Sequence, residues 1–228
     1  MPELPEVQTV VNYLIKPLSG KNIIAFKAIW PRVFENFNGQ DLLKENRQLK
    51  ILTVYRRAKF IIIQLEKQII AIHLRMTGKL YIINNKKLPK HTTAFLKLNN
   101  GSLLVFEDVR KFGRIYSYKN LDIINSKHGI EPLSKMFKLD NLQNLILSKK
   151  RNIKALLLDQ SLIVGLGNIY VDETLWRSGI HPLSSSNLIP NSKLIKLYDS
   201  IIIILSGAIK AQGTTIINFS VNGESGKY

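Results

Sequence analysis

The order of apolar and polar positions predicts one helix followed by a series of strands. Apolar residues at helical spacing follow Pro5 and predict a first helix that ends between residues 17 and 20. Short β-branched runs come next, and they predict strands at 23–30, 49–55, 60–65, 69–74, 80–83, 94–98, 103–106 and 114–118. Asn100-Gly101, between the sixth and seventh runs, is a strong hairpin signal. This part of the chain therefore predicts a β-sandwich with a leading helix.

Beyond Leu121 the spacing of apolar residues becomes helical. Residues 129–132 have the composition of a linker, and a helix over 151–160, a glycine-bearing turn and a second helix capped by Asn168 follow. A last helix is predicted over 191–212. We therefore predict an α+β protein with an N-terminal β-sandwich domain at 1–132 and a helical domain at 133–228.

The charge of the chain points to a polyanionic partner. Its 228 residues carry a formal net charge of +17, and the cations are spread along the whole sequence. A basic globular protein of this kind most often binds nucleic acid. No run of 18 apolar residues and no secretory signal is present, so we expect a monomeric cytoplasmic protein without membrane contact. A structural RNA-binding protein is one alternative that the charge leaves open.

The composition argues against a metal site. The sequence has no cysteine, and its 4 histidines are scattered without the spacing of paired metal ligands. We therefore expect no metal and no cofactor in this chain.

The first residues can supply a nucleophile. Removal of Met1 would give Pro2 a free secondary amine, and an α-amino group titrates at about pH 8, so part of it is neutral and nucleophilic. Glu3 stands beside it to donate or accept a proton, and Glu6 lies one helical turn further on. The structural alternative is that Pro5 and Glu6 merely open the helix.

Four later stretches carry possible chemistry. They are a basic hairpin at 56–59, the turn His73-Leu74-Arg75-Met76-Thr77-Gly78, the loop Asp108-Val109-Arg110-Lys111-Phe112-Gly113, and the run at 151–182. Taken singly, each has an ordinary structural explanation: a solvated turn, a core methionine, a core phenylalanine or a packed helix pair. Gly165 and Gly167 allow close backbone approach, and the N–H groups that begin the second helix suit a phosphate.

Together these stretches resemble the formamidopyrimidine-DNA glycosylases along essentially the whole chain. The N-terminus Met1-Pro2-Glu3-Leu4-Pro5-Glu6-Val7 carries the resemblance first, and the run at 151–182 is similar to the family's helix–two-turn–helix. The resemblance implies that Pro2 is the nucleophile, that Glu3 and Lys59 move protons, and that Glu6 positions them. It further implies a set of DNA contacts, namely Met76, His91, Arg110, Phe112, Arg151, Lys154 and Asn168.

The implied activity is excision of oxidised purines from duplex DNA, followed by cleavage of the abasic site. The resemblance also implies a loop, entered at Gly213-Thr214-Thr215, that closes over the extruded base. Family members continue into a four-cysteine zinc finger, and with no cysteine in these residues we expect a chain without that finger. A catalytically idle DNA-binding remnant of the family is therefore the second alternative.

Overall fold

Eight antiparallel strands build the N-terminal part of the protein. The computed structural model describes residues 1–45, 49–84 and 87–214. The strands are β1 (Asn22–Ala28), β2 (Leu49–Arg57), β3 (Phe60–Leu65), β4 (Ile69–His73), β5 (Gly78–Ile83), β6 (Thr92–Leu98), β7 (Leu103–Asp108) and β8 (Arg114–Tyr118). All eight strands predicted from the β-branched runs are confirmed, as is the Asn100-Gly101 hairpin between β6 and β7.

The strands form two halves that meet at a short joint. The hydrogen-bonded order is β5-β7-β6-β1-β2-β3-β4-β8, and β1 and β2 are joined only by the pairs Asn22↔Lys50 and Ile23↔Leu49. Both halves contribute to one apolar core, with Leu104 and Phe106 from the first half and Ile63 and Ile72 from the second. The predicted β-sandwich is therefore confirmed.

The helices lie at the start of the chain and beyond the strands. They are α1 (Leu4–Leu18), α2 (Gly39–Glu45), α3 (Asp122–Asn125), α4 (Leu139–Leu147), α5 (Ile153–Leu157), α6 (Asn168–Ser178) and α7 (Asn191–Lys210), with short 3-10 turns at Pro31–Val33 and Ser186–Leu188. The helix expected over 151–160 is shorter than predicted and covers Ile153–Leu157, while Asp159, beyond its end, pairs with Arg151 at 2.7 Å. No helix within the described residues is long and apolar enough to cross a membrane.

Helix α1 packs into two apolar cores. Its residues Val7, Val10, Leu14 and Leu18 lie in the core of the β-sandwich. Leu4, at its first turn, lies instead in the second core, which is built by the helices that follow the strands. The start of α1 therefore reaches out of the sandwich to the helical part of the protein.

The two faces of α1 should differ sharply in their contribution to stability. Leu14 is fully buried, whereas the side chain of its neighbour Ile15 is 40% exposed. We expect Leu14→Ala to lower the free energy of unfolding by about 2–5 kcal/mol, because it leaves a cavity in a packed core. Ile15→Ala should cost less than about 1 kcal/mol. Urea denaturation followed by circular dichroism measures both values, and equal losses would contradict the assigned packing.

Candidate active site

The first residues of α1 lie against a glycine turn at 165–167. The Leu4 N–H donates to the Gly165 carbonyl at 2.9 Å. Gly165 has φ +86°, and a Cβ added there would lie 2.7 Å from the Leu4 side chain. A Cβ on Gly167 would lie 2.3 Å from the Glu3 carboxyl group. The predicted close approach at these glycines is confirmed, and the surface that approaches is the chain's own N-terminus.

A single peptide unit joins the two groups predicted to move protons. The Gly167 N–H donates to Glu3 Oε2 at 2.6 Å, while the carbonyl of Leu166, on the same peptide, accepts from Lys59 Nζ at 2.7 Å. Glu3 and Lys59 are 3% and 5% exposed, so both side chains are shielded from water and bind this shared peptide instead. Because the N–H and C=O of a trans peptide point in opposite directions, the acid and the amine lie on opposite sides of it.

The beginning of α6 is occupied by Glu3 and not by a cap of its own. The prediction that Asn168 caps this helix is wrong: Gly167 is the N-cap, and Asn168 is the first helical residue with an exposed side chain. The Glu3 carboxylate accepts from Gly167, Ile169 and Tyr170 N–H groups at 2.6, 3.1 and 3.5 Å. A carboxylate is stable at this positive end of the helix dipole. The N–H groups expected to bind phosphate are therefore already taken.

Burial moves the pKa values of both groups toward neutrality. Burial raises the pKa of the Glu3 carboxyl above its ordinary value, and the nearby Lys59 charge opposes this. Burial likewise lowers the pKa of Lys59, and the charges of Glu3 and Glu6 oppose that change. Each group can therefore exchange a proton closer to neutral pH than it would in water.

Glu6 ties several backbone and side-chain groups to the same place. It accepts from the Glu3 N–H at 2.9 Å, from the Tyr170 hydroxyl at 2.6 Å and from the Thr214 N–H at 3.0 Å. Its contacts fit the positioning role predicted for it. Thr214 belongs to the entry of the expected loop and is the last described residue, so the rest of that loop lies outside the described residues.

The hairpin that carries Lys59 is anchored to the segment predicted as a linker. Glu131 Oε1 accepts from the Ala58 N–H at 2.9 Å and pairs with Arg56 Nη1 at 2.5 Å. Ala58 has φ +53°, a left-handed conformation that is strained for a residue with a side chain. Arg57 donates to the carbonyls of His128 and Gly129 at 3.2 and 3.1 Å. Residues 128–131 therefore fix the turn that aims Lys59.

A cavity of about 360 Å³ opens beside Lys59. Met1 and Lys59 both line it, so the end of the chain and the amine share one space. Aromatic rings form another part of the wall, with Tyr116 and Tyr118 stacked at 5.7 Å. Arg75 and Lys127 add positive charge. Its volume lies in the usual range of small-molecule sites, and its cations suit a phosphate.

The predicted void-filling residues meet at one end of the β5–β7 pair. Gly78 and Asp108 lie opposite each other in the register, so the turn with Met76 and the loop with Arg110 and Phe112 are neighbours. Met76 and Phe112 are 41% and 49% exposed, which contradicts a core position for either. The Arg110 guanidinium lies 4.7 Å from the centre of the Phe112 ring.

His91 lies at the same end of the sheet, where it is exposed and directly precedes β6. Its carbonyl accepts from the Asp108 N–H at 2.9 Å, which places it beside the loop that begins there. In the turn at 73–78, Arg75 has φ +54°, which is a left-handed conformation. A left-handed conformation favours glycine, so the backbone at this arginine is strained.

The remaining predicted DNA contacts lie on α5 and its surroundings, and two of them are already paired. Arg151 contacts Asp159 at 2.7 Å and Lys154 contacts Asp172 at 2.7 Å. The Arg151 hydrogen bond holds the pKa of Asp159 below its usual range. These exposed pairs are weak, so a phosphate can share the cations without a large loss of stability.

The described residues do not fit the zinc site that the family resemblance implies. Across 1–45, 49–84 and 87–214 no group of three or more His, Cys, Asp or Glu side chains could hold a metal ion. The sequence offers no cysteine for a four-cysteine site. No step of the chemistry is therefore assigned to a metal.

Comparison with known proteins agrees with this geometry. Residues 1–115 match the Formamidopyrimidine-DNA glycosylase N-terminal domain, and residues 128–220 match the Formamidopyrimidine-DNA glycosylase H2TH domain. The chain belongs to the formamidopyrimidine-DNA glycosylase family. It is therefore a DNA glycosylase with AP-lyase activity that serves base excision repair. The boundary placed at residue 132 stays a prediction.

Similar glycosylases come from several bacteria. The Formamidopyrimidine-DNA glycosylase of Lactobacillus helveticus is 41% identical over 236 residues, which cover 100% of this chain and 85% of the relative. That of Herpetosiphon aurantiacus is 36% identical over 233 residues with the same coverage. A Lactococcus lactis Fpg complex with abasic-site DNA matches with a TM-score of 0.88 at 35% identity, covering 99% of this chain and 84% of that one.

Sequence reasoning missed several residues that hold the site of this glycosylase together. Gln160 donates to the Leu166 carbonyl at 2.8 Å and accepts from the Gly165 N–H at 2.9 Å. The Tyr170 hydroxyl donates to Glu6, and Glu131 accepts from the backbone of the Lys59 hairpin. Asp108 begins the loop predicted to carry chemistry at 108–113, and an aspartate that ends a strand is a known turn signal, which could have identified it.

The fit of Gly167 against Glu3 can be tested directly. Gly167→Ala would place a methyl group on the Glu3 carboxyl, so we expect the acid to be displaced and base excision to fall at least about 100-fold. The control is Glu173→Ala, a change at an exposed residue of the helix that Gly167 begins. Single-turnover release of the damaged base measures the effect. Normal excision by a folded Gly167→Ala protein would contradict the assigned contact.

His73, on the cavity wall, should make the fold sensitive to acid. Burial, with the positive charges of Arg75, Lys59 and His128, lowers its pKa to about 3. The stability that neutral His73 contributes is fully present above the unfolded pKa of 6.5. It is lost as pH falls toward 3, because over that range only the unfolded chain binds the proton. Between pH 7 and 5 we expect a loss of about 2 kcal/mol from this residue.

Urea denaturation of the wild type and of His73→Gln at both pH values measures this loss. The variant should lose less stability on acidification than the wild type, while the exposed His181→Gln should behave as the wild type. The same acid-induced loss in the wild type and in His73→Gln would contradict the prediction.

Proposed function

We propose that this chain excises oxidised purines, 8-oxoguanine and formamidopyrimidines among them, from duplex DNA and then cleaves the abasic site. The observation that carries the proposal is the placement of Glu3 and Lys59 on one buried peptide beside the N-terminus. Solved relatives bound to carbocyclic 8-oxo-G and to abasic-site DNA support the substrate class. We place the activity on chromosomal DNA in the bacterial cytoplasm, with a monomer as the acting form.

The first chemical step uses the amine of Pro2. In the encoded chain this nitrogen is an amide to Met1, so Met1 must first be removed. The amine then attacks the sugar C1′, and the bond from C1′ to the damaged base breaks with its electrons going to the base. The departing base takes up the proton that the amine loses. Glu3 donates a proton to the ring oxygen as the sugar opens, which leaves an iminium at C1′. The raised pKa of Glu3 favours the protonated form needed for this step.

Elimination follows from the iminium. Water removes a proton from C2′, and the electron pair passes into the iminium to give an enamine. The enamine then expels the 3′ phosphate as the iminium forms again. Lys59 assists as the proton donor at this stage, and its lowered pKa permits release of the proton near neutral pH. Glu6 holds Glu3 and Tyr170 in place. The sequence of steps requires no metal from this chain.

The DNA side of the proposal concerns the gap left by the extruded nucleotide. A base inside a duplex cannot reach Pro2, so the nucleotide must leave the stack. Met76 and Phe112 then fill the space, and Arg110 bonds to the orphaned base. His91, Arg151, Lys154 and Asn168 contact the phosphate backbone, which supplies most of the affinity. The exposure of Met76 and Phe112 supports this assignment.

Trapping with borohydride tests the proposed nucleophile. Borohydride delivers hydride to the iminium and fixes the protein to the sugar as a stable amine. Protein without Met1, confirmed by mass spectrometry, should form this adduct on duplexes with one 8-oxoguanine or one abasic site. The matched control is the same chain with Met1 retained, in which the Pro2 nitrogen is an amide. EDTA should leave the yield of adduct unchanged.

Glu3→Gln separates the two activities. We expect it to lose the adduct on 8-oxoguanine DNA and to keep the adduct on the abasic duplex. An abasic sugar opens to its aldehyde in water, whereas the sugar of an intact nucleotide needs the carboxyl proton to open. Equal adduct with and without Met1 would overturn the assignment of Pro2. Bound DNA without adduct on either duplex would favour the catalytically idle remnant.

A further inference from the structure

Asp108 connects the two loops that carry the exposed side chains Met76 and Phe112. It ends β7 and is 1% exposed. Its Oδ1 accepts from the Thr77 hydroxyl, on the neighbouring turn, and from the Arg110 N–H at 3.2 Å. Its Oδ2 accepts from the Gly113 N–H at 2.7 Å. The buried Asp108 carboxylate therefore binds two residues of its own loop and one residue of the turn that carries Met76.

Thr77 completes this connection from the other side. Its Oγ1 also accepts from the Arg110 N–H at 3.3 Å, so the hydroxyl donates to Asp108 and receives from the loop that Asp108 begins. A hydrogen bond to a charged, buried acceptor is stronger than one between neutral groups. The turn with Met76 and the loop with Phe112 thus share a compact polar joint at the end of the β5–β7 pair.

The backbone around this joint leaves little freedom. Gly113 sits against Phe106, where an added Cβ would lie 2.3 Å from the ring and 3.2 Å from Asp108 Oδ2. Lys111, in the same loop, has φ +57°. The Arg110 guanidinium stacks on Phe112 at 4.7 Å. A five-residue loop without these contacts would lose substantial conformational entropy when it enters DNA.

We infer that Asp108 and Thr77 are positioning residues that hold the Met76 turn and the Arg110–Phe112 loop as one preformed wedge. The inference rests on the proposed function, because it concerns the gap that opens when the nucleotide leaves the stack. Neither residue needs to touch DNA. Their effect is to present Met76 and Phe112 at a fixed spacing, so that both side chains enter the duplex together.

Thr77→Val removes the hydroxyl that connects the two loops and keeps the shape of the side chain. The matched control is Thr93→Val, which removes a buried threonine hydroxyl that donates to the Phe106 carbonyl at 3.0 Å in the same sheet without joining the loops. Thr77→Ser restores the hydroxyl. A duplex with 2-aminopurine next to 8-oxoguanine reports unstacking in a stopped-flow fluorimeter, whether or not chemistry follows.

We expect Thr77→Val to slow the fluorescence change about tenfold, as for the loss of one charge-assisted hydrogen bond. Thr93→Val and Thr77→Ser should stay within about twofold of the wild type. Adduct formation on a single-stranded abasic oligonucleotide should be the same for wild type and Thr77→Val, since a single strand has no stack to fill.

The two proposals fail in different ways. A wild type that unstacks DNA but forms no adduct contradicts the chemistry and leaves the wedge supported when Thr77→Val is slow. Equal unstacking rates for wild type and Thr77→Val would overturn the wedge while the chemistry stands. Equal slowing by Thr93→Val would also overturn it, because the effect would then follow any loss of a buried hydroxyl in the sheet. A wild type that leaves the fluorescence unchanged overturns it as well.

Discussion

The peptide between Leu166 and Gly167 is the contact on which the site depends. Its carbonyl binds the Lys59 amine and its N–H binds the Glu3 carboxylate, at 2.7 and 2.6 Å. Two opposite charges buried away from water are costly unless each is hydrogen-bonded, and this one backbone group serves both. It also keeps them apart, so that they do not neutralise each other in a direct ion pair. Gln160 fixes the peptide in turn.

Much of the fold was predictable from the sequence because its signals are local. The β-branched runs marked all eight strands, and the apolar spacing after Pro5 marked α1. The residues predicted for chemistry were located through family resemblance, since an amine, an acid and a basic hairpin have ordinary structural explanations when taken singly. Their grouping around one peptide follows from packing, which no local pattern contains.

The errors arose where a distant residue replaced a local one. Asn168 has the chemistry of a helix cap, yet Glu3, more than 160 positions earlier, occupies the start of α6. Residues 129–132 also make a contact that no local pattern shows, since Glu131 binds the hairpin of Ala58 and Arg56. Propensity describes what a segment does alone, and here tertiary contacts decide the outcome.

The separation between Glu3 and Gly167 also has a consequence for synthesis of the protein. The bond spans 164 positions, so the reactive end of the chain leaves the ribosome long before its partner exists. At the usual rates of translation the delay is roughly 10 to 30 s. During that interval α1 can already dock on the sandwich through Leu14 and Leu18, while Leu4 still lacks its core. A nascent chain can therefore fold in part before its active site is complete.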